Sequence, residues 1–157
     1  MKTMQQWLDE YGESHKNATN KLIHFICVPT IFFTVVGLLH GIKLPMELSF
    51  LGGMQLSVAM IALVLVFIYY VILSLPISIG MFFYSIACVA LSEYIEQLNF
   101  MPLWLFCLIV FVLAWIGQFY GHKVEGKKPS FFKDLQFLMI GPAWIMSFIL
   151  SKAGIKY

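Results

Sequence analysis

The chain carries five apolar runs that are long enough, or nearly long enough, to cross a lipid bilayer. They cover about residues 22–40, 49–73, 76–98, 102–120 and 135–150. A helix that spans the hydrocarbon core needs about 20 apolar residues. Hydrophobic residues make up 61% of the chain and charged residues only 11%, whereas a soluble domain is about 45–50% apolar and about 25% charged. The sequence therefore predicts an all-α integral membrane protein.

Turn signals between the runs predict a bundle of about five transmembrane helices. Ser74-Leu75-Pro76 breaks the chain between the second and third runs and indicates a helical hairpin. Met101-Pro102 opens the fourth run, where proline is tolerated in the first turn of a helix. Gly141-Pro142 interrupts the short fifth run. We therefore expect that run to follow a tilted, broken or re-entrant path.

The polar residues outside the runs define one domain and limit the partners. Residues 1–21 form a polar N-terminal segment without the pattern of a cleavable signal peptide. We expect a single membrane domain over residues 1–157, with its transmembrane bundle at 22–150. The net charge of +2 and the absence of arginine give no support to a nucleic-acid partner. The lipid bilayer is the expected surrounding, and the sequence carries no signal of oligomeric state.

The lysines indicate the orientation of the bundle. With five spans and the N-terminus in the cytoplasm, seven lysines fall in cytoplasmic loops and three in outer loops, which follows the positive-inside bias. The cytoplasmic set is Lys2, Lys16, Lys21, Lys123, Lys127, Lys128 and Lys133, and the outer set is Lys43, Lys152 and Lys156. The start of the first run and the end of the fourth then meet at the cytoplasmic face of a bacterial inner membrane or an endoplasmic reticulum membrane.

Those two segments each carry a polar stripe that contains a histidine. The stripes have helical spacing and consist of Asn17, Asn20 and His24 in the first segment and Gln118, His122 and Glu125 in the second. His15 lies nine residues before His24, about 180° around an ideal helix. It reaches the same centre only if the chain bends near residues 17–20, and asparagine is a common helix cap.

Histidines that converge in this way are candidate metal ligands. Neutral imidazole binds iron, zinc and copper, and two or three histidines with one carboxylate leave open positions for a substrate and O₂. Glu125 is the nearest candidate carboxylate, and we expect it to be catalytic. The asparagines and Gln118 are expected to contact the substrate or to orient the ligands. Lys127 and Lys128 either anchor the helix end to lipid headgroups or steer an anionic amphiphile to the site.

His40 is a weaker candidate ligand. It lies sixteen residues after His24, which is about 24 Å along a straight helix. One ion can bind both residues only if the helix is broken, and Pro29 could kink or break it. Glu93 and Glu96 are further candidate carboxylates, but the five-span topology places them on the opposite face from His15, His24 and His122.

The residues alone leave other functions open. The polar stripes could form a hydrogen-bonded network in a non-catalytic transporter or assembly factor, or two of the histidines could bind haem. Several known site motifs are missing from the sequence: the His-Glu-x-x-His motif of metalloproteases, a P-loop and a Gly-x-Ser-x-Gly elbow.

At these two segments the sequence resembles the membrane 2-hydroxy fatty acid dioxygenase family. The first motif is Tyr11-x-x-Ser14-His15-x-Asn17-x-x-Asn20-Lys21-x-Ile23-His24-x-x-x-Val28-Pro29, and the second is Gln118-Phe119-x-Gly121-His122 with Glu125 and Pro129 downstream. This family includes the fungal enzyme that shortens 2-hydroxy fatty acids during phytosphingosine breakdown.

The resemblance implies an oxidoreductase that depends on Fe(II). Such an enzyme would use O₂ to carry out α-oxidation of a 2-hydroxy fatty acid and release a fatty acid one carbon shorter. His15, His24 and His122 fall on the motif histidines of the family and are expected to be iron ligands. His40 also falls where the fungal enzyme has a histidine, which adds it to the expected set.

Overall fold

The computed structural model describes residues 2–49, 52–126 and 137–157. Those residues form mostly helices, with one small β-hairpin. In chain order the elements are α1 Met4–Gly12, α2 Ala18–His40, β1 Lys43–Leu48, β2 Met54–Ser57, α3 Val58–Leu73, α4 Leu75–Leu98, α5 Leu103–Glu125 and α6 Ile140–Lys152.

Among the described helices, α2, α4 and α5 are long and apolar enough to cross a membrane. Many of their large apolar side chains point outward, as expected for helices surrounded by lipid. α3 has 16 residues and α6 has 13, so a straight α3 is about 24 Å long and shorter than the ~30 Å hydrocarbon core. The mostly helical fold is confirmed, and three of the described helices have the length and composition of membrane spans. The five-span membrane bundle stays a prediction.

Local breaks in the chain occur where the sequence predicts them. The side chain of Asn17 caps α2 by accepting hydrogen bonds from the backbone N–H groups of Thr19 and Asn20. This cap separates α2 from α1 and supplies the bend that His15 requires. Ser74 separates α3 from α4, and Pro102 immediately precedes α5.

The second apolar run differs from the prediction in its first residues. The run was expected to be helical from about residue 49, but α3 begins at Val58. The preceding chain forms an antiparallel hairpin of β1 and β2, in which Lys43 pairs with Ser57. Gly52 and Gly53 lie between the strands with positive φ angles of 69° and 83°. Paired glycines favour hairpin turns because they adopt positive φ without steric cost.

α2 lies at the centre of the bundle and packs against α3, α4, α5 and α6. Its contact with α5 is close because small residues line it. A β-carbon added at Gly117 would lie 2.8 Å from the sulfur of Cys27, and one added at Gly121 would overlap the side-chain oxygen of Asn20. These glycines bring the backbones of α2 and α5 together at the end of the bundle that carries His24 and His122.

Pro29 does not break α2, which runs as one helix from Ala18 to His40. The hydroxyl of Tyr84, on α4, donates a hydrogen bond of 2.7 Å to the carbonyl of Pro29. The two ends of α2 therefore stay apart, and the residues at those ends belong to different parts of the molecule.

Candidate metal centre

Three histidines from three parts of the chain meet at one end of the bundle. His15 follows α1, His24 lies in the second turn of α2 and His122 lies in the last turn of α5. The ring centroids are 4.2 Å apart for His15 and His24, 4.9 Å for His24 and His122, and 5.7 Å for His15 and His122. One ring nitrogen from each histidine lies within 4.8 Å of the others. The structure thus brings together the three residues that the sequence motifs single out.

Backbone hydrogen bonds fix the tautomers of two of these rings. Nδ1 of His15 lies 2.7 Å from the carbonyl of Tyr11, and Nδ1 of His24 lies 3.0 Å from the carbonyl of Asn20. A carbonyl can only accept, so each Nδ1 carries the proton and donates. The lone pair of each neutral ring is then on Nε2. Histidines that bind metal ions commonly donate their other N–H group to a carbonyl in this way.

Burial favours the neutral form of His15. His15, His24 and His122 are all at most 5% exposed. Loss of hydration lowers the pKa of His15 to about 4, a direction that the nearby His122 and Lys21 reinforce and that the hydrogen bond to Tyr11 and the charge of Glu125 oppose. His15 is therefore neutral near pH 7, which is the form that binds metal ions.

The donor set fits a metal ion. Nε2 of His15 is buried, and no hydrogen bond joins it to another part of the described chain. A buried polar atom without a partner is rare in native proteins, and it usually marks a functional group or a bound ion. An ion among the three rings would give this nitrogen a partner and could bind one nitrogen of each histidine.

Glu125 lies beside this group rather than in it. The group of ligand atoms that could share an ion contains the three histidines and not Glu125. One carboxylate oxygen accepts a hydrogen bond from the backbone N–H of Lys16 at 2.9 Å. The other accepts from the backbone N–H of Asn17 at 2.9 Å and from the side chain of Asn20 at 3.0 Å. Glu125 thereby ties the end of α5 to the corner between α1 and α2, where His15 lies.

Asn20 connects the same elements from the side of α2. Its amide nitrogen donates to the carbonyl of Ser14 at 3.0 Å as well as to Glu125. Its amide oxygen lies against Gly121 and has no hydrogen-bond partner in the described chain. The asparagines that the sequence predicts near the site therefore have distinct positions: Asn17 caps α2, and Asn20 is fully buried between α2 and α5.

Two aromatic residues complete the wall around His15. The ring of Tyr11 stacks on the imidazole at a centroid distance of 4.3 Å and an angle of 12°. Trp144 of α6 lies 5.2 Å from the same ring. Tyr11 belongs to the first sequence motif, but neither residue was predicted to contact the histidines. The spacing of four residues between Tyr11 and His15 was a signal, whereas nothing local in the sequence indicates that Trp144 reaches them.

The remaining predicted residues of this site are Gln118, Lys127 and Lys128. Gln118 lies one turn before His122 on α5, and its side chain is 5% exposed. Lys127 and Lys128 fall outside the described residues.

The structure does not bring His40 to the three histidines. His40 is the last residue of α2, so its separation from His24 is the full distance along an unbroken helix. Its ring nitrogens lie 3.0 Å from the hydroxyl of Ser57 and 3.0 Å from the carboxylate of Glu93. Glu96 and Lys43 complete this second polar cluster, in which the ammonium of Lys43 lies 2.8 Å from the carboxylate of Glu96.

The second cluster is thus already occupied by a cation of the chain itself. Glu93 and Glu96 could hold an ion together with His40 by geometry, but the Lys43 ammonium lies 2.9 Å from the same nitrogen of His40 that faces the carboxylates. The continuity of α2 through Pro29 is the physical reason that His40 is separate from the other three histidines.

Comparison with known proteins gives one family and one curated relative. Residues 1–153 match the model of the Mpo1-like family, which is described as 2-hydroxy-palmitic acid dioxygenase Mpo1-like. The chain is 32% identical over 155 residues to the 2-hydroxy-palmitic acid dioxygenase MPO1 of Saccharomyces cerevisiae, and the match covers 96% of this chain and 82% of the yeast protein. No solved structure matches the chain.

Proposed function

This chain belongs to the Mpo1-like family of 2-hydroxy-palmitic acid dioxygenases, and we propose that it is itself a membrane dioxygenase that acts on 2-hydroxy fatty acids. The observation that carries the proposal is the convergence of three buried histidines, two of them held in one tautomer by backbone carbonyls. A packed structural network would pair its buried nitrogens with each other, whereas Nε2 of His15 has no such partner in the described chain.

We propose that His15, His24 and His122 bind Fe(II) through one nitrogen each. When bound, iron would offer open positions to the α-hydroxy carboxylate and to O₂ and would mediate the transfer of electrons between them. Three neutral imidazoles leave the charge of the metal uncancelled, which favours an anionic chelating substrate. The three rings also contact each other too closely for a porphyrin to fit between them, which favours iron alone over haem.

The proposed reaction cleaves the bond between C1 and C2 of the substrate. C2 becomes the carboxyl carbon of a fatty acid one carbon shorter, and C1 leaves as CO₂. One O₂ is consumed and one water is formed, so four electrons pass from the substrate to O₂ and no external reductant is needed. The residues of this chain contribute by holding the substrate and O₂ together at one fixed centre.

The other polar residues of the site position the ligands. Glu125 holds the backbone of Lys16 and Asn17, and we assign it this positioning role in preference to direct contact with the metal. Tyr11 holds His15 through its carbonyl and its ring. Asn20 does the same for His24 through its backbone carbonyl. Outer contacts of this kind typically change metal affinity by about 10- to 100-fold.

The location of the histidines suits an amphiphilic substrate. They lie near the ends of α2 and α5, two helices of spanning length. A site at the boundary of the bilayer lets a carboxylate approach from water while its acyl chain stays in an apolar environment. The lysine distribution favours the cytoplasmic side for this boundary, in a bacterial inner membrane or an endoplasmic reticulum membrane.

The decisive experiment combines metal analysis with oxygen consumption. Protein purified in detergent should contain about one iron per chain and should consume O₂ with 2-hydroxypalmitate but not with palmitate. His24→Ala and His122→Ala should lose the iron and the activity. Absence of any metal after loading with Fe(II), or a Soret band in the absorption spectrum, would refute the proposal in favour of a structural network or a haem protein.

A further inference from the structure

We propose that the polar cluster at the other end of α2 is a second metal site, in which His40, Glu93 and Glu96 bind a divalent ion such as Zn²⁺. Lys43 holds the position of this ion in its absence and leaves when the ion binds. We call these four residues the His40 cluster. The proposal does not depend on the dioxygenase activity. Along α2 the cluster lies about 24 Å from His24, so the two sites would occupy opposite ends of one helix.

The ligand atoms of the His40 cluster are spaced for a single ion. Nε2 of His40 lies 3.0 Å from a carboxylate oxygen of Glu93 and 3.9 Å from one of Glu96. All three ligand atoms lie within 4.8 Å of one another. Ligands at ~2.1 Å from a tetrahedral zinc ion lie about 3.4 Å from each other, and the two measured distances fall on either side of this value. Small movements of the side chains would therefore fill three of the four positions around zinc.

The ammonium of Lys43 marks the place of a cation in the cluster. Its nitrogen lies 2.9 Å from Nε2 of His40, 2.8 Å from the carboxylate of Glu96 and 3.4 Å from that of Glu93. An ammonium only donates hydrogen bonds, so its contact with Nε2 requires a neutral ring whose lone pair faces the carboxylates. Nε2 and the Glu93 oxygen are then two acceptors 3.0 Å apart, and a cation beside both offsets their repulsion. The same lone pair is the one that a metal ion would use.

Neighbouring side chains orient two of the proposed ligands. With the lone pair on Nε2, the proton of His40 is on Nδ1, which lies 3.0 Å from the hydroxyl of Ser57. Ser57 is the N-cap residue of α3, yet its side chain makes no capping hydrogen bond to that helix. The other oxygen of Glu93 accepts a hydrogen bond of 3.3 Å from the amide of Gln97. Metal-binding histidines and carboxylates are commonly held by outer hydrogen bonds of this kind.

The charge of the His40 cluster favours a divalent ion over the ammonium. Glu93 and Glu96 bring two negative charges, and Lys43 balances only one of them. A divalent ion in the place of the ammonium would balance both. The Lys43 side chain is 22% exposed and that of Glu96 is 40% exposed, so an ion can approach from water. The flexible stem of a lysine lets its ammonium turn outward as the ion enters.

The ligand set selects the class of ion and its relative affinity. Mg²⁺ and Ca²⁺ prefer oxygen ligands alone, whereas Zn²⁺ binds imidazole and carboxylate together. Because Lys43 has to be displaced, the His40 cluster should bind metal more weakly than the three histidines at the other end of α2. At one metal ion per chain, Lys43 should therefore stay in place, and the ion should occupy the three-histidine site.

Zinc binding to a chain that lacks the three-histidine site tests the proposal. In the double variant His24→Ala/His122→Ala, equilibrium dialysis with radioactive Zn²⁺ should detect one saturable site per chain. Adding Lys43→Gln should tighten this binding at least about tenfold, because the competing positive charge is removed. Adding Glu96→Gln instead should weaken the binding at least about tenfold, because an amide is a poorer ligand than a carboxylate.

Matched controls and a spectroscopic measurement separate a metal site from a purely structural cluster. Lys156→Gln and Glu47→Gln alter exposed charges outside the cluster and should bind zinc as the double variant does. X-ray absorption at the zinc edge of the Lys43→Gln protein should show one imidazole nitrogen among oxygen ligands. Zn²⁺ should also raise the melting temperature of that protein, because it binds the folded chain, and this rise should be lost with Glu96→Gln.

The possible outcomes either support the second site or overturn it. Absence of saturable zinc binding in the Lys43→Gln protein would overturn it, since that variant removes the competing cation. Equal zinc affinity in Glu96→Gln and Glu47→Gln, or a zinc shell without imidazole, would do the same. These outcomes leave the proposed function untouched because the three-histidine site has been removed. Conversely, a wild-type chain that binds zinc at the His40 cluster but no iron would contradict the proposed function alone.

Discussion

At the scale of single residues, the site depends on contacts that hold two imidazoles in one tautomer, with Nε2 as the nitrogen that can bind a metal ion. The carbonyl of Tyr11 fixes the tautomer of His15, and the carbonyl of Asn20 fixes that of His24. Glu125 holds the chain that carries His15. The sequence predicted the histidines and the polar stripe, but not which atoms of the neighbours would be used. Backbone carbonyls carry no sequence signal, so their part in the site is visible only in the structure.

Removal of the charge at Glu125 should weaken the site without abolishing it. Glu125→Gln keeps the shape of the side chain. It places an amide N–H group opposite N–H donors whose hydrogen bonds the carboxylate now accepts. We expect the affinity for Fe(II) to fall by about 10- to 100-fold, measured by competition with a chelator. Glu10→Gln, which alters a carboxylate on α1 paired with Lys2, is the control and should bind iron normally. Complete loss of iron in Glu125→Gln would instead indicate that Glu125 is a direct ligand.

The lowered pKa of His15 predicts how the stability of the metal-free protein depends on pH. The pKa is about 4 in the folded chain and about 6.5 when unfolded, so the unfolded chain binds more protons between these values. The contribution of His15 to the free energy of unfolding should therefore be fully present above pH 6.5 and should be lost as the pH falls toward 4. Melting temperatures of the metal-free protein at pH 7.5 and pH 5 would measure this, and His15→Gln should reduce the dependence. An equal dependence in wild type and variant would contradict it.

At the scale of elements, the close packing of α2 against α5 is what brings His24 and His122 together. Gly121 is the residue of closest approach at the site, since a β-carbon there would overlap the side chain of Asn20 and lie 3.3 Å from the ring of His24. The sequence predicted that these two segments meet, because both lie at one end of a membrane bundle. It could not predict the tight contact, since small residues in apolar runs have many possible neighbours.

Substitution of Gly121 should therefore damage the metal site. In Gly121→Ala the added methyl group displaces Asn20 and His24, and we expect iron affinity to fall by at least about tenfold. Gly117→Ala, one turn away in the same interface, meets the sulfur of Cys27 instead. That variant should lose thermal stability but keep its iron affinity. If both variants bind iron as the wild type does, the packing does not set the geometry of the site.

The opposite end of α2 provides a test of which histidines belong together. His40→Ala removes the partner of Ser57 and Glu93 and should lower the melting temperature. It should leave iron content and O₂ consumption unchanged because α2 is continuous between His24 and His40. Loss of iron in this variant would show that the two clusters are coupled or share one ion.

At the scale of the whole molecule, the fold is a helical bundle around α2, with a site at one end and a hairpin at the other. Composition and apolar runs were enough to predict the membrane-type helical fold. They did not reveal the hairpin, because β2 lies within an apolar run that continues into α3, and the pair Gly52-Gly53 was the signal that was overlooked. Contacts that join distant segments, such as that of Trp144 with His15, lie beyond any local pattern.

Topology provides a prediction at this scale. With five spans, Lys16 and Lys156 lie on opposite sides of the membrane. Lys16→Cys should react with a membrane-impermeant thiol reagent only from the cytoplasmic side, and Lys156→Cys only from the other side. The unmodified chain is the control for its own cysteines. Labelling of both positions from one side would mean an even number of spans, with α3 or α6 failing to cross.

The central claim is that the three histidines bind one iron ion together, and X-ray absorption at the iron edge of the loaded protein tests it most directly. The account predicts a shell that includes three imidazole nitrogens, and one nitrogen fewer in the iron that His15→Ala retains at high Fe(II) concentration. A shell made of oxygen alone, or one unchanged by His15→Ala, would contradict it.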